Sequence, residues 1–172
     1  MGWSFYQARR YEESIAEHRK MVEIDSRFAF GRLTFSWALM QTGKYDEAIE
    51  EARKAVELSG GSPFILAALG SAYAKAGRTE EAHKVLRELK GLSHRRYVSP
   101  YHLALTYCNL GDLEQAFAHL EETFANRDAW IVWLGVEPQL DPLRSDPRFR
   151  ALLRSSARLW RVIELTHRAA QQ

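Results

Sequence analysis

Six histidines, one cysteine and two aspartates next to prolines are the side chains here whose chemistry could be catalytic or metal-binding. A zinc site on a helix needs its ligands on one face, typically as an i, i+4 pair. His18, His83, His94, His102, His119 and His167 form no such pair and are not grouped with Cys108, so they read as surface or helix-face histidines. A phosphate-binding loop needs a defined glycine spacing followed by Lys and Ser or Thr. The nearest approach, Gly70 to Gly77-Arg78-Thr79, has the wrong spacing, lacks the lysine and begins inside a helical stretch. No H-E-x-x-H or G-x-S-x-G pattern occurs. Asp141 and Asp146 could be paired acids, but each precedes a proline, the setting of turn or helix capping. The expectation is a non-catalytic protein with no metal and no cofactor.

The residues that do recur at fixed spacing are structural. Gly43, Gly77 and Gly111 stand 34 apart, as do Ala48, Ala82 and Ala116, then Ser36, Gly70 and Ala104, then Leu39, Tyr73 and Tyr107. The same step backwards reaches Gly2, Phe5 and Ser14, a damaged first copy. Self-similarity at such a period is the mark of a stacked repeat. Within Phe35 to Leu58, Gly43 supplies a left-handed helix end, and apolar residues resume at helical spacing as Tyr45, Ala48, Ile49, Ala52, Ala55 and Val56. Ser62-Pro63 and Ser99-Pro100 each read as an N-cap followed by proline at the first helical position. The small residues of "LGSAYAKAG" (69–77) let paired helices approach closely, with Gly70 expected to face Ala82, and Ser36 and Ala104 to face Ala48 and Ala116.

These positions resemble the tetratricopeptide repeat: Leu66, Leu69, Gly70, Tyr73, Ala82 and Leu86 in one copy, and Pro100, Leu103, Ala104, Tyr107, Ala116 and Leu120 in the next. The resemblance covers about residues 1–126. It lacks the usual proline after each second helix, and Ser14 and His18 depart from the pattern in the first copy. It implies an all-α, right-handed α-solenoid of antiparallel helix pairs. The array spans 1–126, as a truncated repeat 1–28 and fuller ones at 29–62, 63–96 and 97–126, and C-terminal capping helices follow over 127–172.

In this family the first helix of each copy lines a concave groove that receives a peptide. Carried over by register, the groove would contain Trp3, Tyr6 and Gln7; Phe30, Leu33, Thr34, Trp37 and Gln41; Ser71 and Lys75; and Tyr101, His102, Leu105 and Asn109. Phe30, Leu33 and Trp37 stand equally well between successive first helices. Trp3, Tyr6 and Trp37 are the expected anchors, since Trp and Tyr dominate interface energetics. Members that clamp a carboxylate tail use Lys, Asn and Arg where this chain has Thr34, Ala68 and His102, which argues against that subtype.

After Asn126 the period breaks. Asp146-Pro147 starts a further helix, with Phe149, Leu152, Leu153, Trp160 and Ile163 on one face and Arg150, Arg154, Arg158 and Arg161 on the other, as a solenoid cap requires. The ending "DPLRSDPRFRALL" also resembles a tail on bacterial tetratricopeptide proteins, in which such arrays follow a regulatory or DNA-binding domain. The N-terminal edge has no such cap, which points to chain upstream or to self-association as a homodimer. Net charge is +2, with seven Arg against three acids in 141–172, read as the solvated side of a cap and not as a nucleic-acid surface. No apolar run is long enough to span a membrane, no signal peptide opens the chain, and one cysteine excludes an internal disulfide. The expected location is cytoplasmic, and the expected activity is binding a protein or peptide.

Overall fold

A computed structural model describes residues 1–157; Arg158, Trp160, Arg161 and Ile163 of the expected cap lie outside them. The repeats fold as α1 (Gly2–Gln7), α2 (Tyr11–Ile24), α3 (Ala29–Gln41), α4 (Tyr45–Leu58), α5 (Pro63–Lys75), α6 (Thr79–Leu92), α7 (Pro100–Leu110) and α8 (Leu113–Ala125). Each odd helix packs on the even helix that follows it, and α3, α5 and α7 also pack side by side or onto the preceding pair. No strand occurs among the described residues.

The turns explain the period. Gly43, Gly77 and Gly111 have φ of +76°, +73° and +80°, a region that only glycine enters without steric cost. Each turn closes with the same long bond: Lys44 N–H to Leu39 O (3.1 Å), Arg78 N–H to Tyr73 O (2.9 Å) and Asp112 N–H to Tyr107 O (3.0 Å). These are Schellman closures, and they satisfy carbonyls at the helix end. The first pair repeats the bond from Arg10 N–H to Phe5 O (2.9 Å), but the left-handed residue there is Arg9, at φ +62°.

The Ser-Pro starts need correction. Ser62 and Ser99 do stand at the N-caps with proline next, yet neither side chain caps its helix. Ser99 Oγ instead donates to Asp128 at 2.5 Å, a stronger partner because it is charged. The close approach at Gly70 also differs from expectation. A Cβ there would meet Val85 Cγ1 at 3.0 Å and Thr106 Cγ2 at 3.3 Å, so the thin point of α5 receives α6 on one side and α7 on the other. Ala82, Ala48 and Ala116 are fully buried.

Two polar clusters inside the array are paired. Arg32 on α3 and Glu51 on α4 form a buried ion pair at 2.5 Å, and Arg32 Nε also donates to Ser26 O. His18, the misfit of the first copy, bonds through Nε2 to Thr34 Oγ1 (2.8 Å) and through Nδ1 to Ser14 O (2.7 Å). Its ring fills the space a Cβ at Gly2 would need, 2.5 Å away.

The expected capping helices from residue 127 are corrected in part. Residues Ala129–Trp133 and Pro138–Leu143 form two 3₁₀ turns. Pro138 and Pro142 donate no backbone N–H, which keeps this stretch from becoming a regular helix. A helix, α9, follows over 147–157. Asp146 caps it by accepting from Arg148 N–H at 2.7 Å. Phe149, Leu152 and Leu153 pack with Phe117 and Leu120 of α8, as a cap should. Arg150 and Arg154 are exposed. Asp141 caps nothing: it pairs with Arg9 and Arg144.

Candidate functional site

Helices α1, α3, α5 and α7 lie in one register, and their aromatic residues meet along one side of the array. Trp3 lies 5.5 Å from Tyr6 and 5.3 Å from Trp37, centroid to centroid. Trp37 meets Phe64 at 6.1 Å, and Phe64 meets His102 at 4.4 Å. This is an aromatic floor from the first repeat to the last.

Residues 129–143 of the same chain run over that floor. Trp130 stacks on Phe64 at 4.9 Å and sets its edge against His102 at 4.7 Å, while Trp133 stands edge-on to Trp3 at 5.4 Å. Asp128 fixes the near end: its Oδ2 accepts from Ser99 and from Tyr97 Oη (2.8 Å), and its Oδ1 accepts from Trp130 N–H (2.9 Å). Burial, then the bond to Asp128, pushes the Tyr97 phenol up to about 12. Asn109 Nδ2 donates to Gln139 Oε1 at 2.9 Å.

At the far end the segment reaches α1. Tyr6 Oη donates to Glu137 Oε1 at 2.6 Å, and Gln139 donates to the same oxygen through its backbone (3.1 Å) and side chain (3.2 Å). Burial raises the Glu137 carboxyl above its ordinary value, although these three bonds pull the other way. Burial, with Glu137 adding to it, holds the Tyr6 phenol well above its usual range. Arg9 grips both oxygens of Asp141, which also accepts from Arg144 Nε at 2.6 Å. Burial works against the Asp141 charge, but Arg9 and Arg144 outweigh it and hold the carboxyl below its ordinary value.

Of the groove residues expected from register, Tyr6, Trp37, Tyr101 and His102 are buried in this floor, and Trp3 and Asn109 are part-buried at it. Phe30 stays more than one-third exposed beside Trp3. Others belong between helices. Leu33 and Leu105 are core. Thr34 bonds His18, and Ser71 Oγ meets Thr106 Oγ1 at 3.1 Å between α5 and α7. Gln7, Gln41 and Lys75 are part-exposed in the register of Asn109. The Gln7 amide and Gln41 Nε2 find no hydrogen-bond partner among the described residues. The face shared by the first helices therefore carries Trp3, Tyr6, Trp37, Tyr101, His102 and Asn109, and the chain's own segment covers it.

His102 is unusual. It is 3% exposed, and neither ring nitrogen has a partner among the described residues. Burial drives its pKa down to about 3, so the ring is neutral. Cys108 donates from Sγ to Gln139 O at 3.2 Å, and burial pushes its thiol up to about 12. Such a thiol is a packing group and not a nucleophile. Among the described residues no three His, Cys, Asp or Glu side chains converge as metal ligands.

Register could have found Phe64, which stands 34 after Phe30, and Arg9, 34 before Gly43. Trp130, Trp133, Glu137 and Gln139 carry no repeat signal, because they lie beyond the last copy.

The tetratricopeptide repeat family matches twice, over residues 39–94 and 101–125. The chain carries tetratricopeptide repeats over these residues. The first match begins on Leu39 and spans the glycine turns of two pairs; the second covers α7 and α8. Tetratricopeptide repeats generally mediate protein–protein interaction as non-catalytic scaffolds. No curated protein matches the chain. No helix among the described residues of this repeat protein is long and apolar enough to cross a membrane.

Proposed function

We propose that this chain is a non-catalytic protein-interaction scaffold whose concave groove recognises a segment carrying two tryptophans three residues apart followed by Glu-Pro-Gln. Residues 129–143 act as its internal ligand. A partner engages the groove with a segment of like chemistry that takes their place. The observations that support this are the contacts of Trp130 with Phe64 and His102 and the Tyr6–Glu137 bond, which tie residues 129–143 to side chains of three different first helices. Aromatic anchors with one charged contact at the end are a common make-up of peptide recognition. The resemblance of the ending "DPLRSDPRFRALL" supports a place within a larger bacterial regulatory protein.

The test weakens the internal ligand and supplies it from outside. In W130A/W133A, a fluorescent peptide of residues 128–144 should bind, whereas the unaltered chain should bind it far more weakly. A variant that unfolds, or that folds and ignores the peptide, would show residues 129–143 to be core alone and would sink the reading.

A second reading has its own observation. Met1 and Ile24 are almost fully exposed, and Phe28 and Phe30 are each more than one-third exposed, at the N-terminal edge around a cavity of about 470 Å³ between α1, α2 and α3. Such a patch suits self-association. Light scattering should then show a concentration-dependent dimer that I24E/F28E abolishes; a monomer at all concentrations would remove it.

A further inference from the structure

The two Ser-Pro helix starts stand 37 residues apart, not 34, so the linker before α7 is three residues longer than the period allows. It runs from 93 to 99, whereas α2 to α3 and α4 to α5 are joined by four residues each. The extra length changes the packing. α3 and α5 lie closely on the helix before them, but α7 packs on α5 and α8 and barely touches α6.

A crevice of about 460 Å³ opens there, bounded by α6, α7 and α8. Its apolar lining is Leu86, Leu89, Val98 and Leu103, with the ring of Tyr107 stacked on His119. On α6 it follows His83, Leu86, Arg87 and Lys90, the i, i+3, i+4, i+7 face, and on α8 it follows Gln115, His119 and Glu122. A trough along one face of each of two helices is elongated, about 15 Å from 83 to 93 at the helical rise.

Its charge is one-sided. Arg87 and Lys90 are exposed on the α6 rim and pair with no carboxylate among the described residues. The adjoining linker adds the exposed Arg95 and Arg96. On the α8 rim, Glu122 is engaged by His119 at 3.1 Å.

We propose that this crevice is a docking site for an amphipathic helix of a protein partner, with bulky apolar side chains on the docked face and carboxylates along the edge beside α6. Four aliphatic side chains in the lining favour a protein helix over a nucleic acid, whose phosphates would gain from the arginines but have no use for the leucines, and the Tyr107 ring is already stacked on His119. Laying an apolar helix face into such a trough is a recurrent recognition mode, and opposite charges along one rim set its orientation. The site is separate from the concave groove and does not depend on residues 129–143 being displaced.

Two fluorescent 14-residue helical peptides test it, with identical leucine faces and with either glutamates or lysines at the flanks. The glutamate peptide should bind and shift amide resonances of α6 and α8, and the lysine peptide should not. R87E/K90E changes two exposed side chains; it should keep the circular dichroism of the native chain, weaken the glutamate peptide about tenfold or more, and let the lysine peptide bind. Binding of neither peptide, or of both alike, would overturn the proposal. So would a glutamate peptide indifferent to R87E/K90E. Displacement of the glutamate peptide by single-stranded oligothymidine would reassign the rim to nucleic acid. A dimer of the unaltered chain that R87E/K90E dissolves would assign the crevice to a second copy.

Discussion

Replacing His102 with Phe should make the protein resist acid. In the fold this imidazole is enclosed by Phe64, Tyr101 and Trp130, and burial lowers its pKa from 6.5 to about 3. Because the folded value lies below the unfolded one, the unfolded chain takes up the proton first as pH falls. The stability tied to the neutral ring is therefore whole above about pH 6.5 and is lost progressively toward pH 3, at about 1.4 kcal/mol per pH unit. Between pH 7 and pH 4.5 that amounts to about 2–3 kcal/mol. H102F has no proton to take up and keeps an aromatic ring in the site. Urea denaturation of both proteins at pH 7 and pH 4.5 measures the effect. The His18 ring, also lowered chiefly by burial, and the carboxylates titrate alike in both chains and cancel in the difference. The stability of H102F relative to the native chain should rise by about 2–3 kcal/mol on going to pH 4.5. An unchanged difference would mean that the ring is protonated in the fold, and the enclosure described above would be refuted.

Two further outcomes follow from packing. E51L leaves Arg32 buried without its partner and should cost about 3–5 kcal/mol, while R32M/E51L should recover most of that loss in thermal or urea melts. G70L should destabilise by several kcal/mol through Val85 and Thr106, whereas G70A in a V85A background should be less harmful than the two single changes summed, by about 1 kcal/mol in a double-mutant cycle.

The repeats were legible because their signals are local. A left-handed turn needs glycine, so Gly43, Gly77 and Gly111 mark helix ends in sequence as plainly as in space. Arg9 escaped notice since a non-glycine residue seldom takes a left-handed backbone, and its partner Asp141 stands 132 residues away. The face shared by the first helices was legible at Trp3, Tyr6 and Tyr101, where register alone fixes it. Register failed at Ser71 and Thr34, because a small hydroxyl at a helix crossing serves the neighbouring helix: Thr106 for the first, His18 for the second. The course of residues 129–143 was not legible at all. It is set by single distant contacts such as Tyr6 to Glu137, and no periodicity announces them.

Those contacts have a consequence for how the protein is made. An open repeat array can fold from its first units as they leave the ribosome, since each contacts only its neighbours. Here Trp3 and Tyr6 acquire these partners only when Trp133 and Glu137 exist. At about 5–20 residues per second, the interval between making the first of these and the last is roughly 7–30 seconds. For that time the nascent chain presents an aromatic surface that the finished molecule hides, a stretch in which chaperones or neighbouring chains can reach it. A translational pause before residue 129 would prolong this window, and one after residue 143 would not.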